Sequence, residues 1–216
     1  MEKVLKEPQP ALTIPEGKIE HPMTRGSRIH NAAEFYITKD IELISELERF
    51  REQFEALRVL RDCPDIYMSV EGDWAYTSDW EVTGWRSSDA WLRMKADMLL
   101  IKDNEGIMID YKSGRRHGNE ISHMTQAQLY QLCTFLRFPE LERLEVEFWY
   151  TDVGEITRAS YTRDFGMQFI PLMKHKGLCI TEEMNFNPKP SSFACKYCPY
   201  GMVQGNGKCK FDFGIR

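Results

Sequence analysis

The residues of this 216-residue chain best suited to chemistry lie in "ADMLLIKDNEGIMIDYKSG", residues 96–114. Two runs rich in Met, Leu and Ile flank Asp-Asn-Glu-Gly, the pattern of a β-hairpin, yet Asp97, Asp110 and Lys112 sit inside those runs. Charges survive in such places only when paired, hydrogen-bonded or metal-bound. A turn centred between Asn104 and Glu105 sets Leu99 opposite Asp110 and Asp97 opposite Lys112. Alternation along the strands then puts Asp97, Asp110 and Lys112 on one face and Met98, Leu100, Ile109 and Tyr111 on the other. An odd loop would move Asp97 across. Mg²⁺ and Mn²⁺ prefer carboxylate oxygens, and an ion between two strand carboxylates polarises a phosphate and acidifies water. A lysine on that face can orient the water or offset charge at phosphorus. The plain alternative is a salt bridge on a half-exposed sheet.

Gln126 and Tyr130 follow at i and i+4, on one face of a helix, and His30 and Glu34 share the same spacing earlier in the chain. Each pair alone has an ordinary structural explanation. In the tail, "FACKYCPYGMVQGNGKC" spaces Cys195, Cys198 and Cys209 as C-x₂-C-x₁₀-C, and its first two cysteines form a half-site for zinc or an iron–sulfur cluster. Cys133 and Cys179 are expected to be buried thiols.

Positioning these groups takes an ordered set of elements. The proline-rich residues 1–22 are expected to form an extended arm. A helix is predicted over "TRGSRIHNAAEFYI", followed by a longer amphipathic one, "IELISELERFREQFEALRVL", with Asp40 as its cap and Leu43, Leu47, Phe50, Phe54 and Leu57 on one stripe. Short strands are predicted in 66–87, then the 92–113 hairpin. A helix over "HMTQAQLYQLCTFLRF" is capped by Ser122 or Thr125, strands follow at "RLEVEFWYTD" and "GEITRASYT", and a last helix spans 163–185. This order implies an α/β or α+β sandwich around a mixed sheet flanked by helices.

A hydrophobic content of 42% excludes a disordered chain, and no apolar run reaches the roughly 18 residues of a membrane span. The opening "MEKVLKEPQPALTIPEGKIEHP" has no signal-peptide core, so a soluble, cytoplasmic protein without a membrane partner is expected, its cysteines thiols or ligands. The net charge of −5 argues against non-specific coating of nucleic acid. Two basic runs nonetheless flank the candidate chemistry. One is "KSGRRHG" at 112–118. In the other, Lys189, Lys196, Lys208, Lys210 and Arg216 face a single acid, Asp212.

Taken together, the motifs resemble a known family. "RGSRIHNAAE" resembles the G-x-x-x-H-x-x-x-E element of RecB-type nucleases (Gly26, His30, Glu34). The hairpin resembles their D…(D/E)-x-K core (Asp97, Asp110, Lys112), and "QAQLY" their Q-x-x-x-Y motif (Gln126, Tyr130). This is the PD-(D/E)XK superfamily, in the branch of RecB-type and CRISPR-adaptation nucleases, matched over about residues 23–210. The resemblance implies a restriction-endonuclease-like core at 23–186 and a Cys-rich metal-binding tail at 187–216. It implies a metal site of His30, Asp97, Asp110 and the Tyr111 carbonyl, with Lys112 as catalytic lysine and Gln126 and Tyr130 contacting DNA or steadying the site. Asp110 stands where many members carry glutamate, a change the pattern allows.

The implied activity is a Mg²⁺- or Mn²⁺-dependent DNA nuclease, an exonuclease working on ends or single strands in recombination, repair or replication, where a recombination or replication protein could be its partner. The chain's size and tail resemble a bacteriophage-encoded member, acting then in the host cytoplasm. The rival is a non-catalytic nucleic-acid-binding or adaptor protein with a structural metal knuckle. In the branch that the tail resembles, three C-terminal cysteines join one located before the histidine motif to hold a [4Fe–4S] cluster. Here no cysteine precedes His30, so the fourth ligand falls to Cys63, a histidine, or an N-terminal segment missing from a shortened chain.

Overall fold

The computed structural model describes residues 20, 22–114, 116–185, 187–202 and 205–211. The expected arm at 1–22 lies almost wholly outside them, and Pro22 already begins the first helix. The described residues divide into two compact units, one ending at Lys174 and the other starting at His175. Among them no helix is long and apolar enough to cross a membrane.

The elements run α1 (Pro22–Lys39), a 3₁₀ turn (Ser45–Phe50), α2 (Arg51–Arg61), β1 (Tyr67–Tyr76), β2 (Val82–Thr83), β3 (Leu92–Lys102), β4 (Glu105–Lys112), α3 (Glu120–Arg137), β5 (Arg143–Tyr150), β6 (Glu155–Thr162), α4 (Arg163–Met167), α5 (Ile170–Thr181) and α6 (Ser192–Tyr197). The six strands form one mixed sheet in the order β2-β1-β3-β4-β5-β6. Only β4 and β5 pair in parallel, because α3 carries the chain from one to the other, as a parallel connection requires. This is the α+β architecture expected of a PD-(D/E)XK-type core.

The sheet separates two apolar layers. Met98, Leu100, Ile109 and Tyr111 pack with Ile29, Ala33, Tyr36, Phe50 and Phe54 of the N-terminal helices. Leu99, Met108, Val146 and Phe148 pack with Leu132, Cys133 and Phe135 of α3. The face assignment of the hairpin therefore holds, although its register differs by two residues. Lys102 pairs with Glu105 and Met98 with Ile109, so the turn is Asp103-Asn104, with Asp103 at φ 54°. Two-residue hairpin turns need positive φ at their first position, which aspartate tolerates better than most residues. A shift of two preserves every face.

Three helical expectations are corrected. Asp40 does not cap a helix over 41–60. It sits at φ 54° just past α1, its carboxylate is held by Arg58 and Arg61 at 2.6 and 3.1 Å, and Ile41–Ile44 are not helical. α3 begins at Glu120 after Asn119, ahead of both Ser122 and Thr125. The helix over 163–185 is two, broken at Gln168–Phe169. Pro171 explains the break, since a proline lacks the N–H of a helix interior and is tolerated only in a first turn.

Phe54 is fully buried and packs against Tyr36, Tyr111 and Trp149 at ring separations of 5.6–5.8 Å. It thus supports the strand residue that follows Asp110. Phe54→Ala should lower unfolding stability by about 3–5 kcal/mol, read as a shift in urea midpoint at unchanged slope.

Candidate metal centre and active site

The charged residues gather where strand pairing opens. The β3–β4 ladder is regular as far as Met98–Ile109, and β1 pairs with β3 on either side of Glu71 and Asp97 but not at them. In the gap the Asp97 carboxylate takes over the work of the ladder. Its Oδ2 accepts the Tyr111 N–H at 2.9 Å, and its Oδ1 meets His30 Nδ1 at 3.2 Å. The other imidazole nitrogen, Nε2, lies 2.9 Å from the Tyr111 carbonyl oxygen. α1 is held in place for this by Arg25, which donates to the Ser113 carbonyl at 2.8 Å and pairs with Asp152. Arg28, itself buried, adds a link between Glu20 and Glu46.

Asp110 is addressed from the other side of the sheet. Tyr130 Oη donates to its Oδ1 at 2.7 Å and Gln126 Nε2 at 3.1 Å. The Lys112 ammonium lies 2.7 Å from its Oδ2, donates to Gln126 Oε1 at 2.8 Å and sits 5.3 Å from the centre of the Phe148 ring. The i and i+4 spacing of Gln126 and Tyr130 thus sets a donor pair against a single carboxylate oxygen. One turn earlier, His123 Nδ1 shares a hydrogen bond of 2.6 Å with Tyr150 Oη.

The electrostatics follow from burial. Asp97 and Asp110 are 6% and 3% exposed. Burial, with the neighbouring Asp97 charge, raises the Asp110 carboxyl to about 6 against the pull of Lys112. For His30, burial alone would lower the imidazole, but Asp97 and then Glu71 outweigh it and raise it to about 10.

The structure thus brings His30, Asp97, Asp110, the Tyr111 carbonyl, Lys112, Gln126 and Tyr130 to one end of the sheet. Sequence reasoning missed Glu71. Glu34, the acid suggested by the first motif, does not belong to the group of metal-ligating atoms found among the described residues, which is His30, Glu71 and Asp97, all within 4.8 Å of one another. The signal available was weak: an acid beside a glycine in a strand, "VEGD".

In the second unit, Cys195 is buried and Cys198 and Cys209 are partly so. Their segment is organised by backbone bonds: Cys198 N–H to Cys195 O at 3.3 Å, Gly201 N–H to Cys198 O at 3.0 Å, and Cys209 N–H to Tyr200 O at 2.8 Å. The loop packs so closely on the Cys195–Pro199 backbone that a Cβ on Gly201 or Gly205 would collide with it. Among the described residues the three sulfurs do not converge as the His30 group does. Cys133 is buried as expected, but Cys179 is exposed; its sulfur lies 3.6 Å from His175 Nε2, one helical turn away.

The family model for the PD-(D/E)XK nuclease superfamily matches residues 3–203. A solved structure titled "Crystal structure of SSO0001" is similar at 15% identity and a TM-score of 0.36, over 84% of this chain and 82% of that one. No curated protein matches the chain.

A raised imidazole pKa fixes a sign. In metal-free buffer, folded His30 keeps its proton where an unfolded histidine would lose it. The stability this supplies is complete below about pH 6.5 and is lost as the pH rises through about 10. Asp110 acts in the same sense in a lower window, from 3.8 to about 6. The melting temperature in EDTA should therefore fall between pH 6.5 and 10, and His30→Gln should flatten that slope. A flat wild-type curve would mean that the imidazole is neutral.

Proposed function

Because this chain belongs to the PD-(D/E)XK nuclease superfamily, we propose that it is a divalent-metal-dependent deoxyribonuclease that works at DNA ends or on single strands. The observation that carries this reading is the convergence of Asp97, Asp110 and Lys112, with Gln126 and Tyr130 bonded to Asp110. The order of the motifs and the cysteine tail support the RecB-type branch and a phage-encoded member, with DNA recombination, repair or replication as its setting.

The donor set fits Mg²⁺ or Mn²⁺: two buried carboxylates, a backbone carbonyl and an imidazole meet with a single lysine to balance them. His30, Asp97, Asp110 and the Tyr111 carbonyl would hold the ion. When bound, it supplies positive charge to the scissile phosphate and to the attacking water. Lys112 is held by Gln126, Asp110 and the Phe148 ring, so its ammonium is placed to meet charge building on a phosphate oxygen. Tyr130 fixes the orientation of Asp110. Arg116, exposed on the loop after Lys112 and paired with Glu155 at 3.1 Å, adds a cation where a strand would approach.

The tail is the second part of the proposal. Cys195, Cys198 and Cys209 are assigned a metal, as a [4Fe–4S] cluster or zinc, on the strength of their spacing and the glycine-packed turn around Cys195–Pro199.

Two outcomes test these assignments. With end-labelled single-stranded DNA, cleavage should need Mg²⁺ or Mn²⁺ and stop in EDTA. Lys112→Ala and Asp110→Ala should each cost about 3–4 kcal/mol of transition-state stabilisation while the far-UV spectrum persists. Metal-independent DNA binding without cleavage by the wild type would return the chain to the adaptor reading. For the tail, anaerobically purified protein should carry iron with broad visible absorbance, or colourless stoichiometric zinc, and Cys198→Ser should lose it. A metal-free yet protease-resistant tail would rule that assignment out.

A further inference from the structure

We infer that Glu71 is a ligand of a divalent cation held with His30 and Asp97, on the β1 side of the Asp97 carboxylate. The inference rests on this cleft being a metal site, and not on the nuclease chemistry. Three elements contribute one ligating atom each: α1 gives an imidazole nitrogen, β1 the Glu71 carboxylate and β3 the Asp97 carboxylate. The distances suit one ion. An octahedral Mg²⁺ or Mn²⁺ with ligands at about 2.1 Å places neighbouring ligand atoms about 3.0 Å apart and opposed ones about 4.2 Å apart. His30 Nδ1 lies 3.2 Å from Asp97 Oδ1 and 3.8 Å from Glu71 Oε1.

Asp110 meets the site from the α3 side, one oxygen held by Tyr130 and Gln126 and the other beside the Lys112 ammonium. On the Nδ1 side of the imidazole, the carboxylate that joins Asp97 is that of Glu71, which is partly buried. The backbone is shaped to bring it there. Glu71 has φ 50° in the middle of a strand, at the one position between Val70–Met98 and Gly72–Ala96 where pairing with β3 lapses. Gly72 beside it leaves no room for a side chain, since a Cβ would stand 2.7 Å from Trp74 Nε1. A left-handed glutamate disfavours the fold at its own position, and ligation of an ion gives it a use.

Mn²⁺ binding, followed by calorimetry or by the loss of the free-ion electron paramagnetic signal, tests this without DNA. Glu71→Gln should weaken Mn²⁺ binding by about 10-fold or more, whereas Glu34→Gln, at the acid named by the sequence motif, should leave it unchanged. Glu71→Gly separates ligation from folding. It should weaken Mn²⁺ as much as Glu71→Gln while the metal-free protein still melts cooperatively, because glycine relieves the positive φ and offsets the lost Glu71–His30 contact. Wild-type Mn²⁺ affinity in both Glu71 variants overturns the inference. A wild type that binds Mn²⁺ through Glu71 but leaves DNA intact would overturn the nuclease reading alone.

Discussion

One carboxylate ties the site to the fold. Asp97 accepts the Tyr111 N–H with one oxygen and faces His30 with the other, so a single buried side chain joins β3, β4 and α1 at the point where strand pairing fails. A sheet interior normally spends its backbone donors on the neighbouring strand. Here the Tyr111 donor goes to a side chain, which leaves the Tyr111 carbonyl beside His30 and the next residue, Lys112, at the mouth of the gap. Strand pairing lapses at Glu71 and Asp97 and resumes on either side, so the gap admits a charged cluster within a paired frame. The metal site proposed above would need such a preformed frame.

The opposite side of Asp110 shows how much organisation such a site needs. A carboxylate that is 3% exposed and raised to about 6 by its burial and by Asp97 opposes the folded state near neutral pH. Lys112, Gln126 and Tyr130 offset part of this, and all three are positioned through α3 or the Phe148 ring beneath the lysine. α3 thus serves two ends. Its Leu132, Cys133 and Phe135 close one core layer, and its polar stripe orients the acid of β4. The same crossover makes the single parallel strand pair of the sheet necessary, so the topology and the polar network share one cause.

What was legible in the sequence had a period to reveal it. The hairpin's faces could be read because side chains alternate every second residue, and a turn misplaced by two positions left every assignment intact. Gln126 and Tyr130 could be paired because four residues make a helical turn. Where no period exists, reading failed. Glu71 looks like any acid in a strand, and only three-dimensional pairing shows that its place in the ladder is vacant. The long apolar stripe from Leu43 to Leu57 looks continuous, yet Asp40 and the ordering of Arg58 and Arg61 around it break the helix before it can start. The tail's cysteine spacing was visible, but the close glycine contacts that shape its turn were not.

The distribution of charge in the cleft bears on the proposed assignment of the cluster as a metal site. Three acids, Glu71, Asp97 and Asp110, gather with Lys112 and His30 in the cleft. Without an ion, His30 supplies a second cation beside Lys112, since its proton is held above the ordinary imidazole range and both nitrogens face oxygens. Under the proposed assignment a proton and a divalent ion would compete for the same imidazole, because a ligating nitrogen must give up its hydrogen. Folding without metal and binding of metal would then be two solutions to one electrostatic problem, the first using a single proton on α1 and the second an ion between the strands. A purely structural cluster would have been better served by a second lysine or an arginine, which cannot be displaced in this way. A histidine at this position would leave the proposed centre stable enough to assemble and open to exchange.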